Sequence, residues 1–513
     1  MKNTKIIGCI VLAMATTSCQ TLQQKKEKSA LAFDIDKYEL QTLTQDGKTF
    51  QVRAYENIAY VENPVDTTYQ KMNIYIPAEY FEGKSIDGFT AQTAPIFFPN
   101  QVGGYMPAKA GTAKKESKTP PTGERAESNP LSMAENERPA RGNMPEKVNT
   151  IAVALSKGYV VASAGARGRT NANGKAPAVI VDLKAAVRYL KFNDQNMPGD
   201  AQKIVSNGTS AGGAVSALLG ATGDSKDYEP YLKQLGAAQA SDAIFAVSAY
   251  CPITNLDNAD MAYEWQFQKV IDYKKIDISM LDYKVERKEV AGKLDDAQQK
   301  VSSDLAKLFP AYLNGLNLKD RNGQTLTLDE NGNGSFKDLV KKYVIASAQK
   351  AQKEGKDMRV YAFLKVENGT ITDLDFDAYV AYMERQKTPP AFDALDLSSG
   401  ENQEFGDETT DKKHFTQYAL KNSTVQGAMA DSQIVRMMNP MYYIGKENVA
   451  TSKHWRIRHG SKDKDTGLAV SVILTTLLEN HGYTVDFALP WDKPHSGDYD
   501  LEELFAWIKQ VTK

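Results

Sequence analysis

The sequence predicts an α/β fold: a mostly parallel sheet with helices on both faces, interrupted by one large, mainly helical insertion. Three observations carry this. Short apolar runs alternate with helical spacing over residues 151–249 and again over 454–511. Between about residues 256 and 424 that rhythm stops, and charged helical stretches take over. Finally, Gly208-Thr209-Ser210-Ala211-Gly212 joins an apolar strand end to a helix start made of small residues.

The first strands are Phe50–Ala54, Met72–Ile76 and Pro95–Phe98, which alternate or run apolar. Asn100-Gln101-Val102-Gly103-Gly104-Tyr105 then turns the chain. Residues 106–147 are rich in Pro, Lys, Glu and Gly without periodicity, and read as a long, partly mobile surface loop. Ile151–Lys157 follows as helix and Tyr159–Ala164 as buried strand. Pro177–Leu190 has helical spacing, with Val179, Leu183, Ala186, Val187 and Leu190 on one face. Ile204–Asn207 is a strand, Ala214–Ala221 a buried helix and Ala243–Ala249 the next strand. In the insertion, Leu281–Lys307, Ser335–Glu354 and Phe376–Lys387 read as helices. The alternation returns with His454–His459 as strand, Gly467–His481 as helix, Thr484–Leu489 as strand and Leu501–Val511 as the last helix. The expected organisation is therefore core over 34–255, insertion over 256–424 and core again over 425–513. No internal repeat appears.

The N-terminus reads as a processing segment. Met1–Lys5 is basic, Ile6–Ala15 is apolar, and Thr16-Thr17-Ser18-Cys19 ends in a small residue before cysteine. This resembles a bacterial lipoprotein signal over 1–19, with Cys19 as the lipidated residue and 20–33 as a tether. Such a chain would be secreted and held to the cell envelope by its lipid. The apolar run is short for a membrane span. Of 3 cysteines, two lie in this segment, so Cys251 is expected to be a packed thiol and not half of a disulfide. With 62 Lys and Arg against 64 Asp and Glu, no basic face invites nucleic acid.

A serine nucleophile on a strand-to-helix turn needs tiny neighbours, and Gly208, Ala211, Gly212 and Gly213 supply them. It also needs a base and an acid that orients the base. On such a scaffold the order along the chain is Ser, then Asp or Glu, then His. Of 5 histidines, His495 lies in Pro490–Gly497, between the last strand and the last helix, where it can reach over the sheet. His414 falls in the charged insertion. His454 and His481 suit solvated positions, and His459 suits a turn. Asp463 follows the preceding strand and is the expected acid, with Asp465 the alternative and Asp463 then a helix cap. The oxyanion would be held by the amide of Ala211 and by amides of Gly103 and Gly104.

At this point the residues resemble bacterial tannases (tannin acyl hydrolases) of the α/β-hydrolase fold, whose core carries a large inserted lid. Three blocks carry the likeness: Ser206–Thr222, Lys387-Thr388-Pro389-Pro390-Ala391-Phe392-Asp393, and Trp455–Asp465 with Trp491–Trp507. The resemblance implies a serine esterase that releases gallate, with Ser210, Asp463 and His495 as its triad and no cofactor. It implies further that Lys387, Glu401 and Asp465 hold the hydroxyls of the galloyl ring, and that Ile253 packs on its face. Glu404 competes with Glu401 for the carboxylate role. A proline often preceding that glutamate is Gly400 here, a departure that touches the ring pocket. The alternatives are a feruloyl or general carboxylesterase, a non-catalytic surface lipoprotein and, more remotely, a peptidase. Asp329-x-Asn331-x-Asn333-Gly334 resembles the start of a calcium loop but ends on Val340 where glutamate belongs, so a tight turn is expected and no metal.

Overall fold

The computed structural model describes residues 29–114, 148–281 and 284–513. The signal segment with Cys19, the tether up to residue 28, and residues 115–147 of the expected surface loop lie outside the described residues.

The strands are β1 (Glu39–Gln45), β2 (Lys48–Ala59), β3 (Lys71–Pro77), β4 (Pro95–Pro99), β5 (Val160–Ala164), β6 (Asp200–Thr209), β7 (Ala246–Tyr250), β8 (Asp272–Leu281), β9 (Lys284–Lys293), β10 (Leu364–Glu367), β11 (Thr370–Leu374), β12 (His454–Arg458) and β13 (Thr484–Ala488). Nine of them form one sheet in the order β1-β2-β3-β5-β4-β6-β7-β12-β13. Its first three strands are antiparallel, and from β5 onward the neighbours run parallel. This is the mixed, mostly parallel sheet of an α/β-hydrolase.

Every residue of β4, β5 and β7 is buried, as expected where helices cover both faces. Helix Ala178–Phe192 is buried along its first 13 residues, and Ala211–Ala221 is buried throughout. Such helices read as apolar runs because the sheet and their neighbours enclose them. β1 has no counterpart in the sequence reading. It is an edge strand in which Gln41 and Leu43 alone are buried, so its inward face shows too little apolar character to announce itself. The segment after Tyr105, expected as a surface loop, is instead packed over its described part. Ala108 bridges to Ala166, and the Gly111 amide donates to Ser163 Oγ at 2.9 Å.

Between β7 and β12 the chain adds two separate hairpins, β8–β9 and β10–β11, neither of which joins the main sheet. The helix expected from Leu281 begins only at Asp296. Asp295 caps it and Gln298 bonds back, closing a capping box. The residues before it form β9, because Lys- and Glu-rich sequence suits an exposed hairpin as well as a helix. Helix Ser335–Lys353 buries Phe336, Val340, Val344, Ala348 and Ala351, a stripe at four- and three-residue spacing. Helix Phe376–Met383 stops short of the expected Lys387, since Glu384 adopts φ 66°. The Asp329–Asn333 segment is the expected turn: Asp329 Oδ1 accepts from the amides of Asn331 and Asn333, both at 2.9 Å.

Candidate active site

Ser210 sits at the tip of β6 with φ 61° and ψ −123°, a conformation rarely held by a residue with a side chain. Its amide donates to Tyr250 O at 2.9 Å, which fixes the tip against the end of β7. The turn closes because its flanks lack side chains. A Cβ on Gly208 would lie 2.2 Å from Gly212 O, and one on Gly212 would lie 2.6 Å from both Asn100 Oδ1 and Val102 O. The loop after β4 therefore presses directly on the start of helix Ala211–Ala221. Asn100 clamps it there, its Nδ2 donating to Gly212 O and Ser216 Oγ at 3.0 Å each. In this loop Gly103 and Gly104 follow Val102, whose carbonyl faces Gly212 in the first turn of the helix.

Beyond β7 in the sheet, Asp463 follows the end of β12 and His495 the end of β13. Ser461 N donates to Pro490 O and Lys462 N to Lys493 O, both at 3.0 Å, so the two loops are stitched together. Asp498 pins the histidine loop back to β6 by accepting from Asn207 Nδ2 at 3.0 Å. His495 Nδ1 lies 2.8 Å from Asp463 Oδ2, which is fully buried and also accepts the amides of Asp465 and Thr466 on Oδ1. Burial alone would push this carboxyl up, but His495 and His459 hold it down at about 2. Burial works against the His495 cation, yet Asp463 and then Asp465 raise its pKa well above the ordinary histidine value. On the outward side, His495 Nε2 lies 3.8 Å from Asp465 Oδ1. Among the described residues no hydrogen bond joins the Ser210 hydroxyl to His495. The two loops do touch: a Cβ on Gly497 would collide with Thr209 Oγ1, next to Ser210.

The expected ring contacts converge on the same spot. Lys387 Nζ lies 3.3 Å from Asp465 Oδ1, and over the ring of Phe392 at 3.9 Å. Tyr263 holds this segment to the aspartate loop. Its hydroxyl donates to Lys464 O at 2.9 Å and accepts from the Lys387 amide at 3.1 Å. Ile253 is buried, and its amide donates to Ser210 O at 3.4 Å. Glu401 is half-buried on helix Gly400–Glu404; burial pushes its carboxyl up, while Lys387 draws it down. Glu404 is fully buried with neither carboxyl oxygen hydrogen-bonded, and burial pushes it up to about 8.

Two neighbours of the Asp463–His495 pair carried no signal in the sequence. His459, read as a turn residue, is fully buried behind Asp463. Its Nδ1 meets Ser471 Oγ at 2.8 Å, while its Nε2 lies 3.5 Å from Asp463 Oδ2. Cys251 is buried as expected, but it lies against the catalytic loops. Its Sγ is 3.5 Å from Ser496 O, and a sulfur, a ring nitrogen and a carboxylate oxygen of Cys251, His495 and Asp463 lie within 4.8 Å of one another. His414, placed among charged residues by the sequence, is buried and bonded to Asp393 at 2.8 Å. Only the Cys251 contact is made across the fold; those of His459 and His414 are to residues of nearby loops and helices.

A family model described as BD-FAE matches residues 135–299. No curated protein matches the sequence. Solved structures do. The tannase from Lactobacillus plantarum is 44% identical with a TM-score of 0.86, over 94% of this chain and 100% of that one. The Fusobacterium nucleatum tannase is 49% identical with a TM-score of 0.84, over 94% and 99%. A tannin acyl hydrolase solved in complex with ethyl gallate is 45% identical with a TM-score of 0.84, again over 94% and 99%.

Proposed function

Because the chain belongs to the bacterial tannase (tannin acyl hydrolase) family, and is thus a carboxylic ester hydrolase of the α/β-hydrolase fold, we propose that it hydrolyses galloyl esters through an acyl-enzyme on Ser210. One observation carries the assignment: the Asp463–His495 pair, at 2.8 Å, stands beside the Ser210 turn with Lys387 and Asp465 paired at its rim. Basic catalysis and ring recognition then share one wall.

In the proposed reaction the ring lies between Ile253 and the Lys387–Asp465–Glu401 row. Carboxylates accept from the ring hydroxyls and the ammonium donates to them. His495 Nε2 takes the Ser210 proton as Oγ bonds to the ester carbon, a contact that tightens when substrate enters. Asp463 stabilises the imidazolium so formed. The amides of Ala211 and of Gly103 or Gly104 hold the oxyanion. The alcohol leaves with the proton from His495. Water, deprotonated by the same nitrogen, then attacks the acyl carbon; the bond to Ser210 Oγ breaks, Oγ takes the proton back from His495, and gallate is released.

A pocket built to bond hydroxyls leaves its own polar groups unpaired when those hydroxyls are missing. The enzyme should therefore turn over methyl gallate far faster than methyl ferulate, by about 10³ or more in kcat/KM. Equal rates on the two esters would make it a general or feruloyl esterase.

We also propose that the chain is anchored to the cell envelope through lipid on Cys19, on the strength of the N-terminal sequence. Expression in a bacterial host with radiolabelled palmitate should label the protein and leave a Cys19→Ala variant bare. Equal labelling of both would refute the anchor.

A further inference from the structure

We infer that Arg169 is a positioning residue: it sets the separation between the oxyanion loop and the ring-binding helix, and so measures the distance from ester carbonyl to ring hydroxyls. The inference rests on the galloyl esterase reading above.

Arg169 lies in the loop after β5, remote in sequence from both partners. Its backbone amide donates to Tyr105 O at 2.8 Å, and its Nε donates to Gly104 O at 2.8 Å. Both bonds grip the loop that carries the proposed oxyanion amides. Its Nη1 donates to Gln403 Oε1 at 2.6 Å, on the short helix that carries Glu401. The fork of a guanidinium suits this task, because its donors diverge in one rigid plane. Around Gln403 the bonds close into a ring. Gln403 Nε2 donates to the Asp411 carboxylate at 3.1 and 3.2 Å. Lys175 Nζ donates to Asp411 Oδ1 at 2.5 Å and to Arg169 O at 2.8 Å. The Ala176 amide adds a bond to Glu404 O at 2.9 Å.

The same contact accounts for Gly400. A Cβ there would lie 3.0 Å from Arg169 Cζ and 3.2 Å from its Nε. The guanidinium therefore packs flat on the start of the helix, where a side chain would push it away. Substrate geometry gives this spacing its meaning. In a galloyl ester the carbonyl is attached directly to the ring. A cinnamoyl ester inserts two carbons between them, so a pocket held at the shorter separation cannot satisfy both ends.

The inference predicts that the two arms of Arg169 separate in kinetics. Arg169→Met should lower kcat on p-nitrophenyl acetate about tenfold, through the loosened oxyanion loop, and lower kcat/KM on methyl gallate by about a further tenfold. Gln403→Leu cuts the helix arm, together with the Gln403 bonds to Asp411, and leaves both bonds from Arg169 to the oxyanion loop. It should raise the KM for methyl gallate about fivefold, while the acetate constants keep their wild-type values. Arg169→Lys, which keeps the charge without the fork, should fall between wild type and Arg169→Met. Thermal melts run on each variant identify unfolding, which would lower both esters in proportion to the unfolded fraction. Wild-type kcat on acetate in Arg169→Met, or equal losses on both esters in Gln403→Leu, would overturn the role. Failure of the galloyl reading looks different: the wild-type enzyme itself would turn over p-nitrophenyl acetate but not methyl gallate, and the acetate constants of Arg169→Met would still decide whether the arginine holds the loop.

Discussion

At the scale of single residues, the chemistry turns on how much positive charge His495 is encouraged to hold. Two carboxylates face it, Asp463 on Nδ1 and Asp465 beside Nε2. Despite burial, they raise its pKa. In the proposed reaction His495 must be neutral to accept the Ser210 proton, so activity should be lost as pH falls through this raised value. The acid limb of the profile should therefore lie above the ordinary histidine range. Removing one carboxylate should shift the limb. Asp465→Asn, assayed on p-nitrophenyl acetate so that ring binding plays no part, is expected to move the limb to lower pH. An unmoved or raised limb would show that Asp465 does not act on the base. His495 and Asp463 were legible at this scale because their order along the chain and their place after strands are imposed by the scaffold. His459, Cys251 and Arg169 were not. Cys251 and Arg169 meet partners on other loops, and although Asp463 is only four residues from His459, no residue pattern marks a buried histidine that backs an aspartate.

At the scale of elements, helix Gly400–Glu404 shows how a few residues can carry opposed demands. Glu401 feels Lys387 and Asp465, whereas Glu404, three residues on, is sealed away and holds its proton. Its carboxyl is raised from 4.5 to about 8, with Arg169 and Lys175 opposing the burial. The sign of the linkage follows. The unfolded chain ionises above its lower pKa while the folded one cannot, so this group costs stability increasingly from about pH 4.5 up to about pH 8. Glu404→Gln should remove that cost. The variant is expected to gain on the wild type by up to roughly 1.4 kcal/mol per pH unit across this window, and by no further amount above it. A pH-independent difference in denaturation midpoint would mean that Glu404 is ionised in the folded protein. Sequence pattern found the long helices of the core and Ser335–Lys353, whose apolar stripes are regular. It failed for β1, whose inward face offers only Gln41 and Leu43, and for the β8–β9 hairpin, whose Lys- and Glu-rich sequence suits a helix as well as a strand.

At the scale of the whole molecule, the candidate site lies at the carboxyl ends of β6, β7, β12 and β13 and is completed by the segment between β7 and β12. The core supplies Ser210, Asp463, Asp465 and His495. Lys387 and Glu401 come from the stretch that interrupts it, and Tyr263 and Arg169 stitch the two together. The interruption itself was readable, because strand–helix alternation stops and later resumes. The docking of one part on the other was not, since it depends on bonds such as Ala176 N to Glu404 O between residues far apart in sequence. Convergence of distant residues on one hydroxyl is the claim on which the functional account stands. It is tested most directly by mixing methyl gallate with the wild-type enzyme and with Ser210→Ala, and following both gallate release and gallate binding. The account predicts that the variant loses turnover by about 10⁴ or more while still binding gallate with wild-type affinity. Turnover by the variant within tenfold of the wild type would contradict it.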